Sequence, residues 1–120
     1  MVAYRLSRAA EDDIVSILAW SQNEFGVDAR HRYAALIAAA LRDAAGRGLG
    51  AEPTARPELG PDVLSWHLAR SRDHSTGGRV RQPRHVILCR WDGDVLEIGR
   101  VLHDSMDLRQ HVERWLIVPA

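Results

Sequence analysis

Lysine is absent from this 120-residue chain, and all sixteen basic side chains are arginine. That removes a tunable base and a Schiff-base nucleophile, leaving cations that stay charged and serve only as clamps. Cysteine occurs once, as Cys89. No internal disulfide or C-x-x-C metal site can therefore form, and a reducing cytoplasm is the expected compartment. The longest uninterrupted apolar run, Ala34 to Leu41, is far too short to span a bilayer. The opening MVAYRLSRAAEDD carries charge where a secretion signal is apolar, so the chain is expected to stay where it is made, with no membrane partner. None of His31, His67, His74, His85, His103 and His111 falls into H-E-x-x-H or H-x-x-x-H spacing, and arginine-rich surroundings repel divalent cations. No glycine-rich loop opens a helix and no nucleophile elbow is present, so neither cofactor nor metal is expected.

What remains is an ordinary globular composition, 46% hydrophobic and 27% charged, with room for one domain over residues 1–120 and one modest core. Net charge is zero but unevenly spread. Residues 70–90 hold six arginines (Arg70, Arg72, Arg79, Arg81, Arg84, Arg90) against Asp73 alone, a net of +5, which leaves −5 on the rest. A basic stretch on an acidic domain fits an anionic partner, nucleic acid or an acidic protein segment, and equally a solvated loop.

Periodicity gives the elements. Val2 to Leu6 alternates as a strand, and Ser7 caps a helix carrying Ile14, Ile17 and Leu18 to about Trp20. Phe25-Gly26-Val27-Asp28 breaks it. A second helix follows with the stripe Tyr33, Leu36, Ile37, Ala40, Leu41, Ala44, ended by GRGLG (46–50). Residues 46–62 form a Gly/Pro connector, Val63 to Arg70 a strand, and 71–83 a long loop. Asp92-Gly93 reads as a two-residue hairpin turn placing Trp91 opposite Asp94, Cys89 opposite Leu96 and His85 opposite Arg100. Both faces of this hairpin are apolar, so each needs a cover. A last helix starts near Asp107, with Leu108, Val112, Trp115 and Leu116 along one side.

Two groups of residues could carry function. His85, Arg100 and His103 close the sheet: a histidine beside an arginine can act as acid/base next to a phosphate clamp, or the group can simply hydrogen-bond a terminal loop. Trp115 serves equally well as core packing or as an interface anchor.

The order of elements, together with YRLSRAAEDDI (4–14), RPELGP (56–61), RWDGDVLEIGRVLH (90–103) and MDLRQHV (106–112), resembles the ParE toxins of type II toxin–antitoxin modules. The resemblance implies an α+β, RelE/ParE-like fold: an N-terminal strand and helical hairpin packed on a small antiparallel sheet, with a short C-terminal helix. It further implies growth arrest through DNA gyrase, a ParD-like antitoxin, and a toxin–antitoxin hetero-oligomer. On this reading Arg100, His103, Asp107 and Arg109 meet the target. Arg70, Arg72, Leu88, Arg90, Val95 and Trp115 meet the antitoxin, which completes an apolar surface around Leu88 and Val95. The rival is a RelE-like ribosome-dependent mRNA endoribonuclease with His103 as acid/base and Arg90 and Arg100 as clamps; a third option is a remnant that only binds antitoxin. Two departures from the family stand out: 71–83 is longer than its usual short turn, and HVILCR lacks the tyrosine or phenylalanine common there. Neither Tyr4 nor Tyr33 is expected near the final strand, which disfavours the nuclease. A ribosome-bound nuclease also needs a broad basic surface, and this chain has one basic segment.

Overall fold

The computed structural model describes residues 3–46 and 51–116. Val2, Arg47 to Gly50 and the side chain of Leu116, all used in the sequence reading, lie outside the described residues. Strand β1 (Tyr4–Leu6) leads into helix α1 (Arg8–Phe25) through Ser7, whose Oγ accepts the Ala10 N–H at 3.0 Å. The same hydroxyl donates to the Gly99 carbonyl at 2.7 Å, so one side chain both caps the helix and fixes it to the sheet. Helix α1 runs past Trp20 to Phe25, and α2 (Val27–Ala45) follows after Gly26 alone, giving the expected hairpin.

Four more strands follow: β2 (Thr54–Ala55), β3 (Leu64–His67), β4 (His85–Asp92) and β5 (Val95–His103), in the order β1-β5-β4-β3-β2. The sheet is mixed rather than antiparallel throughout. Strand β1 runs parallel to β5, with Tyr4 beside Leu96 and Leu6 beside Ile98. Such a parallel pair needs a long crossover, here most of the chain. The strand expected over 63–70 stops at His67, and Leu68–His74 winds into a 3-10 helix that shortens the expected loop.

The β4–β5 register differs from the sequence expectation. Asp92 stays in its strand opposite Val95, where it accepts from Arg5 at 2.6 Å, and Gly93-Asp94 form the loop. Glycine with φ +61° at the first loop position suits a type II′ turn. A bulge opposite Leu88/Cys89 then takes up Gly99, so that His85 faces His103 and Arg100 faces Leu88.

One face of the sheet (Trp66, Ile87, Cys89, Leu96, Ile98, Val101) packs on Ile17 of α1 and on Leu36, Ile37, Ala40, Leu41 and Ala44 of α2. Alternation along the strands sends Leu88 and Leu102 to the other face. There they are covered by Leu59 and Val63 of the connector and by Val112 and Trp115 of helix α3 (Leu108–Leu116). The apolar surface expected to await a partner around Leu88 is thus closed by the chain itself. Leu88 is fully buried and Val95 half-buried. Among the described residues no helix is long and apolar enough to cross a membrane.

Candidate functional site

Antiparallel pairing brings the end of β3, the start of β4 and the end of β5 together, and each position is a histidine: His67, His85 and His103. The His85 and His103 rings meet edge to face at 5.2 Å between centroids. Tyr33 of α2 completes the row, its hydroxyl 2.5 Å from His85 Nδ1. Burial pushes the Tyr33 phenol up to about 12. Burial first, and then the neighbouring His103, push His85 down to about 4. Both are therefore neutral at pH 7. Tyr33 donates to His85 and accepts the Arg84 N–H at 3.3 Å. The expectation that neither Tyr4 nor Tyr33 lies near the final strand is overturned, since β1 lays Tyr4 beside Leu96 of β5 and Tyr33 reaches His85, whose ring meets His103 of β5. The place of Tyr33 on α2 could not be read from a spacing, because His85 is 52 positions distant.

Asp104 organises the solvent side of this end. It takes the His67 Nε2–H at 3.0 Å and the Arg84 Nε–H at 3.1 Å, while its own N–H donates to the Arg84 carbonyl. The hydrogen bonds from His67 and then Arg84 hold its carboxyl below the usual carboxylate range. His103 Nδ1 faces the Ser105 N–H at 3.1 Å and the Ser105 hydroxyl at 2.7 Å. A backbone N–H can only donate, so Nδ1 is an acceptor and the neutral ring carries its proton on Nε2.

Arg100 is only 8% exposed. Its Nε and Nη2 each donate to Asp13 of α1 at 2.8 Å, and Nη1 donates to the His111 carbonyl of α3 at 3.0 Å. Asp13 also accepts the Val101 N–H at 3.0 Å. The residue expected to grip a target instead ties α1, β5 and α3 to one another. Asp107 caps α3 by accepting the Arg109 N–H, and the two residues border an open depression of about 390 Å³ with Asp104 and Met106.

Trp115, expected at the antitoxin interface, lies flat on Gly99 within the fold. A Cβ added to Gly99 would stand 1.9 Å from the indole, so only glycine fits under it. The indole N–H donates to Glu97 at 2.9 Å, and Arg90, itself bonded to Glu97, lies over the ring at 4.9 Å. Arg70 covers Trp66 at 3.7 Å. Arg72 Nη1 donates to the Arg81 carbonyl at 2.8 Å and so positions the basic loop.

That loop forms one wall of a cleft of about 600 Å³ whose other wall is the helical hairpin. Trp20 and Phe25 stand at its mouth, 50% and 67% exposed and packed edge to face. Tyr33 and His85 close its inner end, and Arg32, Arg79, Arg81 and Arg84 line it. Gly77 permits the close approach of loop to helix, since a Cβ there would lie 2.6 Å from Ala35 Cβ. In the sequence Trp20 marked only the expected end of the first helix. It stands outside the Ala10, Ile14, Ile17, Ser21 stripe of α1, and that displacement was the available signal.

Among the described residues no group of three or more His, Cys, Asp or Glu could hold a metal ion. The chain matches the family model described as ParE toxin of type II toxin-antitoxin system, parDE, over residues 4–108. No curated protein matches it.

Proposed function

The chain belongs to the ParE toxin family of type II toxin–antitoxin modules, and from that premise we propose that it arrests growth in the cytoplasm by binding DNA gyrase and is neutralised by a ParD-like antitoxin. The observation that supports inhibition over cleavage is the separation of the would-be nuclease residues. Arg90 is bonded to Glu97 near the hairpin turn, Arg100 is enclosed by Asp13 and the His111 carbonyl, and His103 stands at the far end of β5. Phosphate clamping needs free guanidinium forks, and both arginines are already engaged. In its neutral tautomer the Nδ1 lone pair of His103 is engaged by Ser105, and the Nε2–H is what it offers a partner. The target-contact surface is then His103, Asp107, Arg109 and the exposed Met106 beside them, with Arg100 supporting it from within.

Tyr33 supplies the one observation for a second reading, a RelE-like nuclease. A phenol, His85 and His103 stand in a row that ends at solvent. Two assays on purified protein divide the readings. Inhibition of gyrase supercoiling with intact ribosome-bound mRNA supports the first. Codon-specific cleavage in a translation extract, abolished by Tyr33→Phe in a folded protein, reverses the ranking.

A further inference from the structure

We propose that the cleft between the helical hairpin and the 75–84 loop binds a small ligand, a nucleoside di- or triphosphate, whichever target the toxin meets. Size and closure point to a small molecule. The volume of about 600 Å³ falls within the roughly 300–1,000 Å³ usual for such sites. Tyr33 and His85 close the inner end, so this groove is blind and suits a compact ligand better than a continuous chain.

The cations suit phosphate. Arg32, Arg79, Arg81 and Arg84 line the cleft and no carboxylate does. Arg84 is engaged by Asp104, and Arg79 by the exposed Asp73. Among the described residues neither Arg32 nor Arg81 has an ion pair, so two guanidinium forks are left over in a chain of zero net charge. They belong to opposite walls, and both walls are fixed. The Gly77-Gly78 pair lies against Arg32: a Cβ on Gly78 would stand 3.2 Å from Arg32 Cδ, and one on Gly77 3.5 Å from Arg32 Cα. Across the cleft Arg72 holds the backbone at Arg81 by donating to its carbonyl at 2.8 Å. Forks on fixed backbone lose little freedom when an anion arrives.

The mouth supplies the other half. Trp20 and Phe25 pack edge to face at 5.6 Å between centroids and both remain exposed, which leaves aromatic surface for a planar base to stack on. Inorganic phosphate or a sugar phosphate would satisfy the arginines and leave that surface bare. A fatty acid would cover it and bring one charge to two free forks. A flat ring joined to several phosphate charges satisfies both halves. With no carboxylate in the lining, guanidinium alone meets the phosphate charge, and binding should not require a divalent cation.

The test titrates the full chain with ADP by calorimetry and by tryptophan emission, with Mg²⁺ and again with EDTA. Adenosine, pyrophosphate and a short oligothymidylate are titrated beside it. ADP should quench Trp20 and should bind at least ~10-fold more tightly than adenosine or pyrophosphate, equally in both buffers; ~10-fold corresponds to about 1.4 kcal/mol. Arg32→Ser with Arg81→Ser should weaken ADP at least ~10-fold, whereas the exposed Arg8→Ser should change nothing. Trp20→Ser should weaken ADP and leave pyrophosphate as it was, and Trp20→Phe, which keeps a stacking ring, should retain ADP in calorimetry. Unchanged thermal midpoints confirm that the variants are folded. The proposal falls if pyrophosphate binds as tightly as ADP, which marks an anion site only, or if adenosine does. It falls equally if the oligothymidylate binds more tightly than ADP, if EDTA abolishes binding, or if the double arginine variant matches the parent. No saturable binding up to millimolar ADP also overturns it.

Discussion

The two faces of the sheet are closed by different means. Under the helical hairpin, aliphatic side chains from α1 and α2 meet those of three strands over a broad area, and each contact is one of many. Under α3 the described residues that meet are Leu59, Val63, Leu88, Leu102, Val112 and Trp115 with the half-buried Leu108, and position depends on two specific fittings: an indole on a bare glycine and a guanidinium on Asp13. A broad apolar face absorbs small errors, because non-directional burial is shared among many neighbours. A narrow face held by directional contacts has few substitutes for any one of them. Damage to the second face should accordingly be disproportionate.

The largest expected effect is at Arg100. Arg100→Met strands Asp13 at a position only 14% exposed and should cost about 3–5 kcal/mol in urea unfolding. Asp13→Asn in the same chain should recover part of it, while Ile37→Val under the hairpin should cost only about 1 kcal/mol. A loss at Arg100 no greater than at Ile37 would erase the contrast between faces. Next in size, Gly99→Ala should lift Trp115 off the sheet at a cost of about 1–3 kcal/mol and shift its emission to the red.

A smaller effect belongs to the histidine end. His85 is depressed to about 4 in the fold against about 6.5 in the open chain, so the unfolded chain binds more protons between those values. Stability should be full above pH ~6.5 and should fall, by on the order of 1–2 kcal/mol, as pH drops toward ~4. His85→Gln should flatten that part of the profile in a pH series of urea titrations. Tyr33, raised to about 12, acts at the opposite limit, and its contribution is lost as pH climbs past ~10. Smallest of all, His103→Gln should change stability by less than about 0.5 kcal/mol and leave growth arrest largely intact. A folded His103→Gln chain that has lost arrest by about 10² or more, with mRNA fragments replaced by intact message, would return the sheet end to catalysis.

How much of this was legible in the sequence follows from the range of each interaction. The stripe of α2, the Ser7 cap and the Asp107 start of α3 are local patterns, and the helical hairpin followed from them, while the fold class came from the resemblance to the ParE toxins. The β4–β5 register slipped because Asp-Gly and Gly-Asp are both acceptable two-residue loops, and a bulge at Gly99 leaves no mark on alternation until the residue above it is known. That residue is Trp115, which composition placed equally well in the core or at an interface. Arg100 read as a functional cation because its partner, Asp13, is 87 positions away in the chain. The groove was invisible for the same reason. It needs Gly77 against Ala35 and Arg72 on the Arg81 carbonyl before Arg32 and Arg81 share a space. Removing Arg100 therefore perturbs the support beneath the proposed target surface before any contact on it.

The parallel pairing of β1 with β5 also sets the order of events at the ribosome. Synthesis runs from the N-terminus at about 5–20 residues per second, so the first strand, with Asp13 just behind it, emerges many seconds before the residues that receive them. Until β5 arrives, the helical hairpin has lost most of its opposing face and the edge of β1 has no neighbour. Contacts between the two ends of a chain also close slowly, because the entropy of the intervening loop is lost before they form. The domain is therefore unfinished until the residues of β5 have been made. An antitoxin already present has that interval in which to meet the exposed hairpin, before the sheet end that we assign to the target has been assembled.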